Sequence, residues 1–410
     1  MRSSPPQIHG WVAPGFEEVR AEFERNLTER GEVGAACAAY YRGQPVVDLW
    51  GGYRDARRRL PWEEDTLVLV FSATKGMAAI TLAVAHARGW LDYDERVAAY
   101  WPEFAQAGKS GVTVRQLLAH QAGLCVVDRP LDVDILADLD ALAAILAAQR
   151  PAWEPGTRQG YHALTLGWYE GELLRRVDPQ HRSLGKFFQD EIVRPLGIEF
   201  YIGLPRDVQG SRLAVPKFLS LSNLKLPDPV TRPFFLTTCD PTSLAFRAFM
   251  NPWPTLKNLA ALRDRRFLAL ENPAYTGVGQ VRALARAYSA FAVRGGELGV
   301  GQETLAALAA PPILPAVDLR DQVLQLELHF SLGFLRPCDT YRFGSSSRAF
   351  GAPGAGGSFA FADPDAQIGY AYAPNKMGMT MLGDAREKAL QDALYRCLPT
   401  PPQVLRRVGA

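Results

Sequence analysis

The residues with the clearest chemical potential are Ser72 and Lys75, which are three apart in the segment Ser-Ala-Thr-Lys. An α-helix places residues three apart on the same face. An apolar, strand-like run over 67–71 precedes the serine, and the residues over 77–85 are apolar on nearly all sides. The serine would therefore lie in the first turn of a buried helix, where free backbone N–H groups and the helix dipole favour negative charge. Burial lowers the pKa of a lysine and makes it a usable base. The segment thus predicts a nucleophile beside its base.

A serine three residues before a lysine occurs twice more, at Ser183–Lys186 and at Ser222–Lys225. Ser183 precedes an amphipathic pattern, in which a serine is most simply an N-cap. Ser222 lies in a segment rich in serine and proline, and no buried helix follows it. Only Ser72 leads from an apolar run into a buried helix. A simpler alternative remains for this segment as well: Ser72 caps the helix and Lys75 extends its amine to water.

The composition is that of an ordinary globular protein, with 410 residues, 48% of them hydrophobic and 21% charged. This length favours two subdomains. A formal net charge of +2 gives no electrostatic footprint for nucleic acid. The 5 cysteines are dispersed and form no C-x-x-C pair, which argues against a disulfide framework or a zinc site. Because no apolar run reaches membrane-spanning length and the N-terminus lacks the apolar core of a signal peptide, we expect a cytoplasmic protein without a membrane partner.

Patterns typical of strands and helices occur at both ends of the chain, around a helical middle. The strands expected in the end regions span 35–41, 46–50, 330–335, 358–362 and 368–372, and the helices span 14–30 and 384–397. The helices expected in the middle span 114–120, 136–149, 165–177 and 184–194. We therefore predict an α+β fold in which residues 1–95 and 281–410 form one sheet-and-helix domain. Residues 96–280 would form an inserted, mostly helical domain, in which 205–273 is either a lid-like loop over a site or a structural loop region.

Two further segments fit the same chemistry. One is Gly160-Tyr161-His162-Ala163, just before a helical pattern, and the other is the glycine-rich stretch 351–358, which leads into a strand. A serine hydrolase needs a group that protonates the leaving atom and backbone N–H donors for the oxyanion. A tyrosine near a lysine ammonium can titrate low enough to carry protons, and glycines let a strand approach a substrate closely. Taken singly, Tyr161 is better interpreted as a core tyrosine, and 351–357 without the strand that follows it as a tight turn; their order along the chain favours the catalytic interpretation.

With these three segments in order, the chain resembles the serine β-lactamase-like superfamily. It is most similar to class C β-lactamases, penicillin-binding-protein relatives and, above all, family VIII carboxylesterases. The resemblance extends over about 15–397 and implies a β-lactamase/transpeptidase-like antiparallel sheet flanked by helices from both termini. It makes Ser72 the nucleophile and Lys75 its base. Tyr161, hydrogen-bonded to Lys75, would pass the proton to the leaving group.

The resemblance also implies an oxyanion hole. The third motif of the relatives, Lys-Thr-Gly or His-x-Gly, falls on Ala352-Pro353-Gly354, so the N–H of Ala355 would join that of Ser72. A register two residues later, with Gly357 as the donor, stays open, although Phe350-Gly351 precedes the first register as in relatives. The substrate-binding residues expected around these groups are Gly354, Gly356, Gly357 and His162.

Two departures from the class C pattern bear on the substrate. Tyr161-His162-Ala163 replaces Tyr-x-Asn, which removes an amide, and Ala352 stands where relatives have a lysine or histidine. A charge-assisted hydrogen bond is worth about 1.5–3 kcal/mol, so its loss would weaken carboxylate binding by roughly one to two decades. A neutral ester loses nothing. We therefore expect a carboxylesterase acting on a small-molecule ester, without a metal or another cofactor.

Other interpretations stay open at this stage. The same serine could serve β-lactam hydrolysis, D-peptide cleavage or acyl transfer, or the chain could be a non-catalytic binding protein that keeps the cleft. The chain has 6 histidines, so a Ser-His-Asp triad must be considered. It is disfavoured because the chain lacks the G-x-S-x-G elbow that carries the serine in many such enzymes. An apolar acyl pocket could be lined by aromatic residues that are otherwise core candidates: Phe234, Phe235, Phe246, Phe249, Trp253 and Phe267.

Overall fold

The main sheet is built from both ends of the chain. The computed structural model describes residues 7–218, 232–251, 264–293, 295–378, 380 and 382–399. The strands are β1 (Ile8–Val12), β2 (Gly34–Tyr41), β3 (Gln44–Asp55), β4 (Leu60–Pro61), β5 (Val68–Leu69), β6 (Phe200–Ile202), β7 (Gly277–Gly279), β8 (His329–Ser331), β9 (Phe334–Arg336), β10 (Phe350–Pro353), β11 (Phe359–Asp363) and β12 (Ile368–Pro374). The main sheet has the order β1-β3-β2-β12-β11-β10-β9-β8, with β4 paired to β3. Every neighbouring pair is antiparallel, which confirms the predicted sheet class.

Helices cover this sheet and fill the middle of the chain. They are α1 (Glu17–Thr28), α2 (Thr74–Ala87), α3 (Val97–Tyr100), α4 (Val114–Leu118), α5 (Val133–Ala137), α6 (Leu139–Ala148), α7 (Thr165–Val177), α8 (Leu184–Phe188), α9 (Arg194–Leu196), α10 (Arg232–Thr237), α11 (Leu244–Phe249), α12 (Arg265–Leu268), α13 (Val281–Val293), α14 (Gln302–Ala309) and α15 (Ala385–Arg396). None of the described helices is both long and apolar enough to cross a bilayer. The described residues also contain no cluster of metal-ligating side chains.

Small residues in β12 let helices approach both faces of the sheet. A Cβ on Gly369 would lie 2.4 Å from the backbone nitrogen of Ser289, so this position seats α13 directly against the strand. The next residue, Tyr370, points to the opposite face and its hydroxyl contacts the backbone oxygen of Glu387 in α15 at 3.4 Å. The core of the molecule therefore lies on both faces of a central strand that has almost no exposed residues.

Several predicted boundaries are wrong, each for a local reason. The strand expected over 330–335 is the hairpin β8–β9, because Leu332 and Gly333 both adopt left-handed backbone conformations, with φ of 51° and 86°. The helix expected over 136–149 is two helices, α5 and α6. The side chain of Asp138 accepts hydrogen bonds from the first N–H groups of α6 and so starts a new helix. The helix expected over 184–194 continues from α8 through a π-helical turn into α9.

The described part of the middle of the chain holds the helices α3 to α12, and it also contributes strands. β7 pairs with both β5 and β6 in a separate sheet of order β5-β7-β6. The chain runs from β5 directly into the segment that carries Ser72. The described parts of 205–273 hold the helices α10, α11 and α12. Residues 219–231 and 252–263, and with them Ser222, Lys225 and Trp253, lie outside the described residues.

Candidate active site

Ser72 lies on a strained turn between a strand and a buried helix. After β5 the chain forms a 3-10 turn over Phe71–Ala73 and continues as α2. Phe71 has a φ of 50°, a left-handed conformation that is costly for a bulky residue. Such strain persists only where surrounding contacts over-determine it. The turn therefore presents Ser72 at the N-terminal end of α2, as the sequence pattern predicts.

The glycine-rich stretch holds this turn from the other side. A Cβ on Gly354 would lie 2.2 Å from the backbone oxygen of Val70 and 3.0 Å from the nitrogen of Ala73, so only glycine fits at this position. The hydroxyl of Ser358 donates to the same Val70 oxygen at 2.8 Å. These contacts fix the distance between Ser72 and the end of β10.

Lys75 is buried, with only 3% of its surface exposed, and does not extend to water. Its Nζ lies 3.4 Å from Ser72 Oγ, 2.8 Å from the backbone oxygen of Ala163 and 3.0 Å from that of Ala274. Burial lowers the pKa of Lys75 to about 7, although the nearby carboxyl of Glu170 acts in the opposite direction. The amine is therefore available as a base near neutral pH.

Tyr161 joins this pair, but not by the hydrogen bond to Lys75 that we expected. Lys75 Nζ lies over the face of the Tyr161 ring, 4.7 Å from its centroid. Burial raises the pKa of the Tyr161 phenol, and the interaction with the Ser72 side chain only partly offsets it. The expectation of a tyrosine that titrates low is therefore wrong. The phenol stays protonated and is placed to donate a proton near Ser72.

The predicted oxyanion donors face the same space. Ser72, Gly354, Ala355 and Gly356 all line one cavity. Among the described residues, no acceptor is found for the N–H of Ser72 or that of Ala355. The N–H of Gly357, in contrast, already donates to the backbone oxygen of Gly354 at 3.3 Å, and Gly357 is not among the residues lining the cavity. This geometry favours Ala355 over the alternative register.

His162 is not placed to bind a substrate. It has no exposed surface, and its Nδ1 lies 2.8 Å from the backbone oxygen of Gly160 while its Nε2 accepts the N–H of Leu124 at 3.2 Å. Burial lowers the pKa of His162 to about 3. It is absent from the lining of the cavity. The neutral ring of His162 therefore braces the backbone behind Tyr161, and the position of the missing amide is taken by Ala163.

Three buried residues near the site were missed from the sequence. His120 lines the cavity, and its ring lies 5.0 Å from that of Tyr161. Its pKa is well below the usual value because of burial and the neighbouring His162 and Lys75, so the ring is neutral. Asp321 accepts the backbone N–H of Tyr161 at 3.1 Å. The clue for His120 is only its position after a helix, and Asp321 lies in a loop that carries no motif.

Glu170 is the third missed residue. Its carboxyl is fully buried and neither oxygen has a hydrogen-bond partner among the described residues. Burial raises its pKa well above the usual value, while Lys75 acts in the opposite direction. An unpartnered carboxylate in the interior is very costly, so this group is held as the neutral acid. A signal for it is present in the sequence: Glu170 lies four residues after Leu166 and four before Leu174, on the apolar face of α7.

The cavity at Ser72 has a volume of about 460 Å³ and mostly apolar walls. Its apolar lining residues include Phe234, Phe235, Phe246, Phe249, Met250, Leu324, Leu328, Phe330, Leu335, Met377 and Leu382. Lys75 is the one lysine, arginine or carboxylate side chain among the described residues that line it. Phe267, which we expected there, instead packs against Tyr275 at 5.8 Å. The site is therefore a nucleophile and a base at the wall of an apolar cavity.

Comparison with known proteins agrees with this geometry. The sequence model of the family described as Beta-lactamase matches residues 19–395. The esterase/beta-lactamase LipL of Mycobacterium tuberculosis is 33% identical over 381 residues, covering 90% of this chain and 83% of LipL. A solved family VIII carboxylesterase superposes with a TM-score of 0.81 at 37% identity, covering 96% of this chain and 100% of that chain. A penicillin-binding protein homologue from Caulobacter crescentus gives a TM-score of 0.81 at 37% identity over the same shares of both chains.

Proposed function

Because the chain belongs to the beta-lactamase family, we propose that it is a carboxylesterase that cleaves small, uncharged esters through an acyl-enzyme on Ser72. The observation that carries this proposal is the position of Lys75, a buried amine 3.4 Å from Ser72 Oγ in an apolar cavity. The names of two relatives, an esterase/beta-lactamase and a family VIII carboxylesterase, support the same activity.

The partners of Lys75 suit a neutral base. A neutral amine has two hydrogen atoms and one lone pair, whereas an ammonium has three donors and no acceptor. The backbone oxygens of Ala163 and Ala274 take two hydrogen bonds. The lone pair then faces Ser72 Oγ, which donates its proton to Nζ as the bond from Oγ to the ester carbon forms. The N–H groups of Ser72 and Ala355 stabilise the oxyanion.

Tyr161 completes the cycle at the leaving group. When the tetrahedral intermediate collapses, the bond to the alcohol oxygen breaks and that oxygen takes the phenol proton. No hydrogen bond is found between Lys75 and Tyr161, both of which the structure describes, so the ammonium proton returns to the phenolate through the water that enters as the alcohol leaves, and both groups are neutral again. Water then attacks the acyl-enzyme, gives a proton to Lys75, and releases the acid as Ser72 Oγ recovers its proton.

The charge of the cavity supports neutral substrates. The described lining residues offer no cation other than Lys75, which acts as the base, and His120 is neutral. A carboxylate in an apolar cavity without a partner pays a desolvation cost that a neutral ester avoids. The aromatic side chains of α10 and α11 would instead contact the apolar part of the ester.

The test is hydrolysis of p-nitrophenyl esters of increasing acyl length, with intact-mass detection of the acylated protein and nitrocefin as a β-lactam comparison. We expect Ser72→Ala to lose more than about 10³-fold in kcat/KM. Ser183→Ala is a matched control, because Ser183 has the same spacing to a lysine but accepts the N–H of Lys186 as an N-cap. It should cost about 1 kcal/mol of stability and leave the activity unchanged. Equal rates for wild type and Ser72→Ala would refute the proposal, and nitrocefin turnover equal to ester turnover would refute the preference for esters.

A further inference from the structure

A buried arginine holds two segments of the cavity wall from behind. Arg386 Nη2 donates to the backbone oxygen of Gly356 at 3.0 Å, and Nη1 donates to that of Lys376 at 3.0 Å. Gly356, Met377 and Gly378 line the cavity, and Gly378 N–H donates to the same Gly356 oxygen at 2.9 Å. We call residues 354–357, between β10 and β11, the oxyanion turn. One guanidinium thus ties the oxyanion turn to the segment that follows β12.

Two carboxylates fix the position of this guanidinium. Asp384 accepts from Nε at 2.9 Å and from Nη2 at 2.7 Å, and Glu32 accepts from Nη1 at 2.9 Å. The side chains of Arg386, Glu32 and Asp384 are only 6%, 0% and 8% exposed. Loss of one member of such a buried pair leaves an uncompensated charge. The planar fork of arginine, which makes several directed hydrogen bonds at once, is not reproduced by lysine.

The oxyanion turn needs contacts from other segments because its own side chains restrict its backbone very little. Gly356 and Gly357 have φ values of 88° and 109°, and neither has a side chain that could restrict the backbone. Ser358 and Gly354 secure the turn toward Val70, and the Gly356 oxygen is the point where it is held on the opposite side. The direction of the Ala355 N–H therefore depends on where the Gly356 carbonyl is fixed.

We propose that Arg386 is a positioning residue for ester hydrolysis, which aims the Ala355 N–H at the oxyanion by holding the Gly356 carbonyl. This inference rests on the proposed function, since it assigns Arg386 a part in the same reaction. It predicts an effect on the transition state, where the oxyanion has formed, and little effect on binding of the ester in the ground state.

The experiment compares Arg386→Lys with a matched control, Arg336→Lys. Arg336 is 1% exposed and also donates to backbone oxygens, those of Leu308, Ala309 and Ser347, but it does not line or hold the described cavity wall. We expect Arg386→Lys to lower kcat for p-nitrophenyl butyrate by about 10–100-fold, with KM within about twofold of wild type. Labelling of Ser72 by a fluorophosphonate should slow by a similar factor. Arg336→Lys should lower Tm while its kcat stays within about twofold of wild type.

A second variant covers the case in which Arg386→Lys fails to fold. Asp384→Asn retains an N-cap for α15, because asparagine caps helices as well as aspartate does. It removes one acceptor of Nη2, the same nitrogen that donates to Gly356. We expect kcat to fall by about 3–10-fold at unchanged KM. If wild type shows Ser72-dependent hydrolysis while the folded variants retain its kcat, the inference is wrong and the proposed function stands. If wild type hydrolyses no ester, both are wrong.

Discussion

The burial of Lys75 determines at which pH the site can work. Its pKa of about 7 is set mainly by burial. The neutral fraction of the amine therefore rises from about a tenth at pH 6 to about nine-tenths at pH 8. Because only the neutral amine can accept the Ser72 proton, we expect kcat/KM to rise with pH and to reach half its maximum near pH 7. A pH–rate profile measured at low ester concentration tests this.

A guanidinium in place of the Lys75 amine would remain protonated at any of these pH values. Lys75→Arg should therefore lower kcat by about 10²–10⁴-fold and remove the rise near pH 7. Lys186→Arg is the control, since Lys186 is an exposed partner of Asp190 at 2.9 Å and lies outside the site. A Lys75→Arg variant with the wild-type profile would show that another group is the base.

We expect a different result for Tyr161, because its phenol donates a proton to the leaving group and does not activate the nucleophile. p-Nitrophenolate leaves without a proton, whereas an alkoxide needs one. Tyr161→Phe should therefore lose about 10²-fold or more in kcat on ethyl butyrate and much less on p-nitrophenyl butyrate. Parallel rate measurements on the two esters check this. Equal losses on both would mean that the phenol acts on another step, such as removal of the Ser72 proton.

At the scale of elements, α7 packs against Ala274, which supplies one of the two backbone oxygens bound by Lys75. A Cβ on Gly167 would lie 2.4 Å from the backbone nitrogen of Ala274, whose oxygen accepts from Lys75 Nζ at 3.0 Å. Gly171, one turn later in the same helix, has nothing within 4 Å of such a Cβ. The two glycines therefore differ in what their added methyl groups would meet.

Gly167→Ala should displace Ala274, destabilise the protein by about 1–3 kcal/mol and lower kcat by roughly 10-fold or more. Gly171→Ala should instead stabilise the helix by up to about 1 kcal/mol without a change in kcat. Thermal unfolding measures the stability of both variants, and steady-state kinetics measure their kcat. If Gly167→Ala behaves like Gly171→Ala, the carbonyl of Ala274 is not needed where the structure places it.

The candidate residues could be picked out of the sequence because they lie where local signals are strong. Ser72 and Lys75 mark the start of a buried helix, Tyr161 precedes α7, and Gly354 stands in a glycine-rich stretch. The errors fall where local propensity is overruled. Leu332 adopts a left-handed conformation that leucine disfavours, and this turns one expected strand into a hairpin.

At the scale of the whole molecule, the sheet could be predicted from both termini, but the contacts that cross the molecule could not. β6 and β7 are three residues each, too short to show alternation, so the small sheet that they form with β5 leaves no pattern in the sequence. Arg386 and Glu32 are 354 residues apart. Charged side chains are ordinarily exposed, and only the tertiary structure shows that these two are buried, as Glu170 is.

The buried carboxyl of Glu170 makes the stability of the whole protein depend on pH. Its pKa in the folded protein is raised well above the value of 4.5 that it would have when exposed. At pH values between the pKa of the unfolded state and the raised pKa of the folded state, Glu170 keeps its proton in the folded protein and loses it in the unfolded protein. The stability contribution of this group is thus fully present below pH 4.5 and is lost as the pH rises through this range.

Glu170→Gln removes this titration, so the variant should gain stability relative to wild type as the pH increases from 5 to 8. Each pKa unit of difference between the folded and unfolded states corresponds to about 1.4 kcal/mol, so we expect a gain of about 1 kcal/mol or more at pH 8. Glu172→Gln is the matched control from the same helix, because Glu172 pairs with Arg175 at 2.8 Å and with Arg176 at 2.6 Å. That variant should lose about 1.5–3 kcal/mol at every pH, because the Glu172 side chain is only 5% exposed and makes charge-assisted hydrogen bonds to both arginines. Urea unfolding at several pH values measures both, and a difference between Glu170→Gln and wild type that does not change with pH would show that the carboxyl is not held as the neutral acid.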